Sequence, residues 1–153
     1  MKIDDIDLQL MELLQKNGRM KRNELAEKVG LSLPSASERL RKLEEQGYIT
    51  GYAATLNPKA LGKDITAFVV VTIDSSRHFN GFVEHATALE EVLECHAITG
   101  DGTHLLKLRT ENTASLEKLL GRIQSWVGVA KTATSVVLST RKETNRIRIH
   151  STK

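Results

Sequence analysis

Residues 21–52 run KRNELAEKVGLSLPSASERLRKLEEQGYITGY, and no other stretch restricts the possible fold as tightly. Two short amphipathic helix patterns are separated only by Gly30, Leu31 and Ser32, and a glycine-punctuated β signal follows. A turn that short lays one helix across the other, so that the second can project into a nucleic-acid groove. No other segment has a spacing that implies a specific activity.

Local chemistry sets the boundaries of these elements. A helix from about Lys21 to Val29 turns Leu25, Ala26 and Val29 inward, and Gly30 stops it. Ser32 caps the next helix, with Pro34 in the first turn, where a missing N–H costs nothing. Ala36, Leu40 and Leu43 face the core of that helix and Gly47 closes it. Upstream, Asp4 or Asp5 caps a first helix with Ile6, Leu10, Leu13 and Leu14 on one buried stripe. Asp7 complements its dipole, and Asn17-Gly18 ends it. Downstream, Tyr48, Ile49, Tyr52, Ala54 and Leu56 surround Gly51 in the pattern of a short β-hairpin, a wing, which Asn57-Pro58 breaks.

Charge is segregated along this region. Residues 1–15 set Lys2 against Asp4, Asp5, Asp7 and Glu12, a net of −3. Residues 16–42 set Lys16, Arg19, Lys21, Arg22, Lys28, Arg39, Arg41 and Lys42 against Glu24, Glu27 and Glu38, a net of +5. The whole chain is only +3, so the two-helix motif carries a local positive field.

After Gly62 the pattern changes. Ile65–Ile73 is nearly all β-branched or aromatic and reads as a strand buried on both faces. Phe82, Val83, Ala86 and Leu89 make a helix stripe; Val92–Thr99 is a second strand; Gly100-Asp101-Gly102 is a turn; His104–Arg109 is a third strand. Leu116, Leu119, Leu120 and Ile123 make another helix stripe, and Val129–Leu138 a fourth strand. The order β-α-β-β-α-β is that of a ferredoxin-like sandwich with two helices on one sheet face. The tail from Lys142 onward is polar with an Ile147/Ile149 alternation, either an added edge strand or a frayed end.

Burial then bears on assembly. Two helices cover one face of a sheet, and alternation in the first strand puts Phe68 and Val70 on the face opposite to Ala67, Val69 and Val71. Leaving such a face in water exposes an apolar patch that calls for a partner, and a second copy stacking its own sheet on it is the simplest cover.

Other classes are excluded or disfavoured. The N-terminus lacks the apolar stretch of a secretory signal, and the longest apolar run, Ala67–Val71, is far too short to span a bilayer. A lone Cys95 excludes an intramolecular disulfide and fits a reducing cytoplasm. His78, His85, His96, His104 and His150 lack metal-ligand spacing, and no paired carboxylates, phosphate loop or nucleophile motif appear. Neither a cofactor, a metal nor an enzymatic activity is expected.

The chain resembles the Lrp/AsnC (feast/famine) transcription regulators over nearly its whole length. The resemblance rests on I-D-D-I-D at residues 3–7, E-L-A at 24–26, G-L-S at 30–32 and R-L-R-K-L-E-E-Q-G-Y-I at 39–49. It continues in G-Y at 51–52, T-G-D at 99–101 and L-L-K-L at 105–108. It implies an α+β chain: an N-terminal winged helix-turn-helix with a linking strand (residues 1–62), joined to a C-terminal ferredoxin-like βαββαβ effector-binding and oligomerisation domain (residues 63–153). Family members form dimers that join into tetramers or octamers, and many sense amino acids. A cytoplasmic, nucleoid-associated protein is implied.

Two departures from the family pattern stand out. Lys21 occupies a position where the family usually has a Ser or Thr cap, which weakens the helix end by roughly 1 kcal/mol unless a DNA phosphate sits there. The turn reads Gly100-Asp101-Gly102-Thr103, where the family commonly has a second carboxylate at the last position and an aromatic residue before it. In the family this turn contributes to a small-molecule pocket between subunits. The implied effector residues are therefore Thr99, Gly100, Asp101, Gly102, Thr103 and His104.

The expected DNA-contacting set is Lys21, Arg22, Ser32, Pro34, Ser35, Ser37, Glu38, Arg39 and Lys42. Arg39 is the leading candidate for a base edge, because arginine bonds guanine in bidentate fashion, with a salt bridge to a neighbouring carboxylate as the alternative. Ser35 and Ser37 are placed to meet bases or phosphates, and Lys21, Arg22 and Lys42 phosphates. Arg41 either does the same or pairs with Glu45. Two further readings stay open: an architectural protein that wraps double-stranded DNA without a ligand, and an amino-acid-binding regulatory domain of an enzyme.

Overall fold

A computed structural model describes residues 2–149. They fall into two compact units, one formed by the described parts of Met1–Thr55 and Lys142–Lys153, the other by Leu56–Arg141.

The first unit contains α1 (Asp5–Lys16), α2 (Arg22–Val29) and α3 (Leu33–Glu45). Asp4 caps α1 in a reciprocal capping box with Asp7: the Asp7 N–H donates to Asp4 Oδ1 at 3.0 Å and the Asp4 N–H to Asp7 Oδ2 at 3.1 Å. Gly30, at φ +71°, ends α2. Its N–H donates to the Glu27 carbonyl and that of Leu31 to the Ala26 carbonyl, which turns the chain within two residues. Leu10, Leu25, Leu40 and Leu43 form the core of the three helices. Full burial of each contributes about 1.5–3 kcal/mol relative to exposure.

The hairpin expected around Gly51 is not formed. Among the described residues no strand lies between α3 and Ile65. Tyr52 instead turns back on the helices, its hydroxyl donating to Glu44 Oε1 at 3.0 Å. An isolated two-stranded hairpin is marginal in water, and the described residues of this unit supply no third strand to support one. Nor do the described residues of the tail add a strand. It packs on α1, where the Gln15 side-chain amide bonds both the N–H and the carbonyl of Ile147, at 2.7 and 2.9 Å, and Arg146 pairs with Glu12. For this reason residues 142–149 group with the N-terminal helices, whereas 56–62, read above with the first domain, group with the second.

The second unit contains β1 (Ile65–Ile73), α4 (Phe79–Thr87), β2 (Val92–Ala97), β3 (His104–Thr110), α5 (Thr113–Gln124) and β4 (Val129–Val136). The antiparallel sheet has the order β2-β3-β1-β4, the ferredoxin-like order. Ala67, Val69, Val71, Leu106 and Leu108 point to the helix side and pack with Phe82, Ala86, Leu116, Leu119 and Ile123. Asn112 caps α5 in a second capping box, with Ser115.

β1 is thus buried on one face only. Its alternate residues Thr66, Phe68, Val70 and Thr72 face away from the helices, and Phe68 is 37% exposed. Register places Lys107 and Ser135 beside Phe68, and Leu105 and Ala133 beside Val70. The apolar strip is flanked by an ion pair, Lys107–Glu94 at 3.4 Å. Cys95 lies opposite Leu106, half-buried against the core, and burial pushes its thiol pKa up.

Candidate functional site

The amphipathicity of α3 decides what it can present. With Ala36, Leu40 and Leu43 sunk in the core, Ser35, Glu38 and Lys42 are left exposed at i, i+3 and i+7, on one face. Ser32 accepts the Ser35 N–H at 3.3 Å and its hydroxyl bonds that of Ser35 at 3.0 Å, so both serines are fixed at the helix tip next to the exposed Pro34. Ser37 is half-buried. Among the described residues Lys42 makes only a long pair with Glu38, at 4.0 Å.

Two cations prove to be engaged within the protomer. Arg41 grips Glu38, at 2.6 and 2.9 Å, and Glu45, at 2.5 Å, and its bond holds the Glu38 carboxyl below the usual range. Arg39 takes the carboxylate alternative: its Nη1 donates to both Asp4 oxygens, at 2.8 and 2.7 Å, and to Asp7 Oδ1 at 3.0 Å. Asp7 is 2% exposed, whereas the Arg39 side chain keeps 31%. Backbone bonding from Asp7 and then the Arg39 contact keep the Asp4 carboxyl pKa below its ordinary value. A groove of about 520 Å³ runs here, with Asp4, Asp7 and Arg39 in its lining beside Ser35, Glu38 and Lys42. The sequence signal for this network is the acidic stretch at Asp4 and Asp7, which by itself marks only a helix start.

At the start of α2, Lys21 adopts the extended conformation of a cap residue, φ −71° and ψ 149°, but no side-chain bond closes the helix end. Lys21 and Arg22 are exposed there, beside helix N–H groups that suit an anion.

The expected effector turn divides into two parts. Thr99, Gly100 and Asp101 are exposed, with Gly100 at φ +105°. Gly102 is buried so closely against β1 that a Cβ would overlap Val70 Cγ1 and lie 3.2 Å from the Val71 carbonyl. Thr103 ties β3 to β1: its N–H donates to the Val71 carbonyl at 2.9 Å, and its hydroxyl accepts the Ile73 N–H at 3.0 Å. His104 is 2% exposed, 2.8 Å from that hydroxyl and packed against Phe79 and Phe82 at 4.9 and 5.0 Å. Burial pulls its pKa below the ordinary value.

These features have counterparts in known proteins. The Lrp/AsnC ligand binding domain matches residues 66–147, and a winged helix-turn-helix DNA-binding family matches residues 3–50. The chain belongs to the Lrp/AsnC family of transcriptional regulators. It is 40% identical over 151 residues to the leucine-responsive regulatory protein of Salmonella typhimurium, covering 95% of this chain and 90% of that one. The Escherichia coli leucine-responsive regulatory protein is 40% identical over 148 residues with the same coverage. Among solved structures, a Neisseria meningitidis transcriptional regulator in complex with L-methionine superposes with a TM-score of 0.90 at 31% identity, over 96% of this chain and 97% of that one. Escherichia coli AsnC gives 0.86 at 27% identity, over 95% and 99%. As an Lrp/AsnC chain it therefore pairs a DNA-binding helix-turn-helix with a ligand-binding domain. Among the described residues no helix is long and apolar enough to cross a membrane, and no cluster of His, Cys, Asp and Glu suits a metal ion.

Proposed function

We propose that this chain is a sequence-specific double-stranded DNA-binding regulator that acts as a homodimer, joining into tetramers or octamers, and answers to an amino acid or related small molecule. DNA binding is assigned to the first unit, and effector binding and oligomerisation to the second. The observation that carries the DNA reading is the exposed polar face of α3, anchored at its tip by Ser32 and set on two buried leucines and an alanine. Ser35, Ser37, Glu38 and Lys42 face the groove in this reading, with Ser32 and Pro34 at the entering tip. Lys21 and Arg22 hold phosphates at the N-terminus of α2. About six phosphates neutralised per dimer would give log K a slope near −5 against log salt. A protein that acts on DNA in this way works in the cytoplasm, at the nucleoid, and needs no catalytic site.

The dimer is supported by the open sheet face around Phe68 and Val70, which lies opposite α4 and α5. A monomeric mass by sedimentation at micromolar concentration would remove it.

The effector reading draws on the relatives, one named leucine-responsive and one bound to L-methionine. One feature favours an architectural, ligand-free DNA-wrapping role instead: Gly102 and Thr103 are already committed to packing and bonding against β1. Footprinting with and without a panel of amino acids separates the two. Protection that changes with leucine, methionine or another amino acid supports the sensor; extended protection indifferent to all of them supports the architectural role.

A further inference from the structure

Arg39 stands at an edge. At 3.6 residues per turn it projects between the exposed Ser35–Glu38–Lys42 face and the buried stripe of Ala36 and Leu43, toward the N-terminus of α1. There its Nη1 meets three carboxylate oxygens within 3.0 Å. The two aspartates are not free to follow it. Each bonds the other's backbone N–H in the capping box, so both Asp7 oxygens are in use, one on Asp4 N–H and one on Arg39.

We propose that Arg39 is a positioning residue for DNA recognition: through Asp7 it fixes the angle of the recognition helix on α1, and it does not read a base. The proposal rests on the reading that α3 enters a DNA groove. To reach a guanine edge, Arg39 would have to abandon two fixed carboxylates, one sealed from water, as they come under the field of the DNA phosphates. Stripping a buried carboxylate of its cation costs more than one guanine contact contributes. Base reading accordingly falls to Ser35, Glu38 and Lys42, whose orientation on DNA depends on a support that itself stays off the DNA.

Asp7→Asn tests this, because Asp7 is too buried to touch DNA itself. Binding-site selection and titration are carried out on the full-length wild type, Asp7→Asn, Arg39→Met and the double variant, with affinities expressed per folded molecule. The expected result is that Asp7→Asn weakens binding on the order of tenfold, that the preferred bases stay the same, and that the double variant binds no more weakly than Arg39→Met. If Asp7→Asn binds as well as wild type per folded molecule, or more tightly because Arg39 has been released, the proposal is wrong. It is equally wrong if Arg39→Met loses preference at one base position alone. That selection pattern also decides the matter should Asp7→Asn not fold. A wild-type protein that selects no sequence overturns the DNA-binding reading itself and this inference with it.

Discussion

Lys21→Ser should make this protein more stable and a poorer DNA binder. Lys21 holds the backbone geometry of a helix cap, yet α2 has no side-chain cap bond. Serine places an acceptor over the N–H groups of Asn23 and Glu24 and removes a positive charge from the positive end of the helix dipole. The gain is about 1 kcal/mol, which for a unit of this size raises the midpoint of thermal unfolding by roughly 4–8 °C. On DNA the substitution deletes one phosphate contact per protomer, two per dimer. The slope of log K against log salt should then flatten by about 1.8, from near −5 to near −3, and affinity near 0.1 M salt should fall by about an order of magnitude or more. Circular dichroism melts measure the first effect, and fluorescence anisotropy on a selected operator at several salt concentrations the second. An unchanged salt slope would refute the phosphate assignment, and a lower melting point would refute the account of the missing cap.

Two further predictions concern the second unit. Gly102→Ala forces a methyl into Val70 and toward the Val71 carbonyl, so urea unfolding should show a loss of about 1–3 kcal/mol; partial recovery in Gly102→Ala with Val70→Ala would locate the strain, and no loss at all would contradict the close approach. Burial lowers the His104 pKa below its ordinary 6.5, so its neutral form stabilises the fold above that pH and the contribution is lost as pH falls toward the folded value. Melting points between pH 8 and 5.5 should decline, and part of that decline should vanish in His104→Leu; an identical pH dependence in both proteins would contradict the assignment.

What the sequence revealed and what it concealed have different physical causes. Capping and stop residues are local, so Asp4, Ser32, Pro34 and Gly30 marked helix ends that the structure keeps. The β-α-β-β-α-β succession of elements followed from period-2 and period-3.6 patterns alone. Alternation in Ile65–Ile73 already separated the face of Ala67, Val69 and Val71, which packs with Leu106 and Leu108, from that of Phe68 and Val70. Two features depended on distant partners and did not show. The Gly51 segment carries hairpin chemistry without a supporting sheet, and the tail's Ile147 bonds the side chain of Gln15 instead of a strand. At the candidate interface, the exposed serines and Lys42 were legible from helix periodicity. The capture of Arg39 by Asp4 and Asp7, 35 and 32 residues away, was not.

The central claim is that the exposed face of α3 reads a DNA sequence, and binding-site selection from random duplexes with purified protein tests it most directly. The account predicts enrichment of a pseudo-palindrome with half-sites about one helical turn apart, and loss of preference at individual positions when Ser35, Glu38 or Lys42 is replaced by alanine. Recovery of unenriched sequence, or enrichment indifferent to all three substitutions, would contradict it.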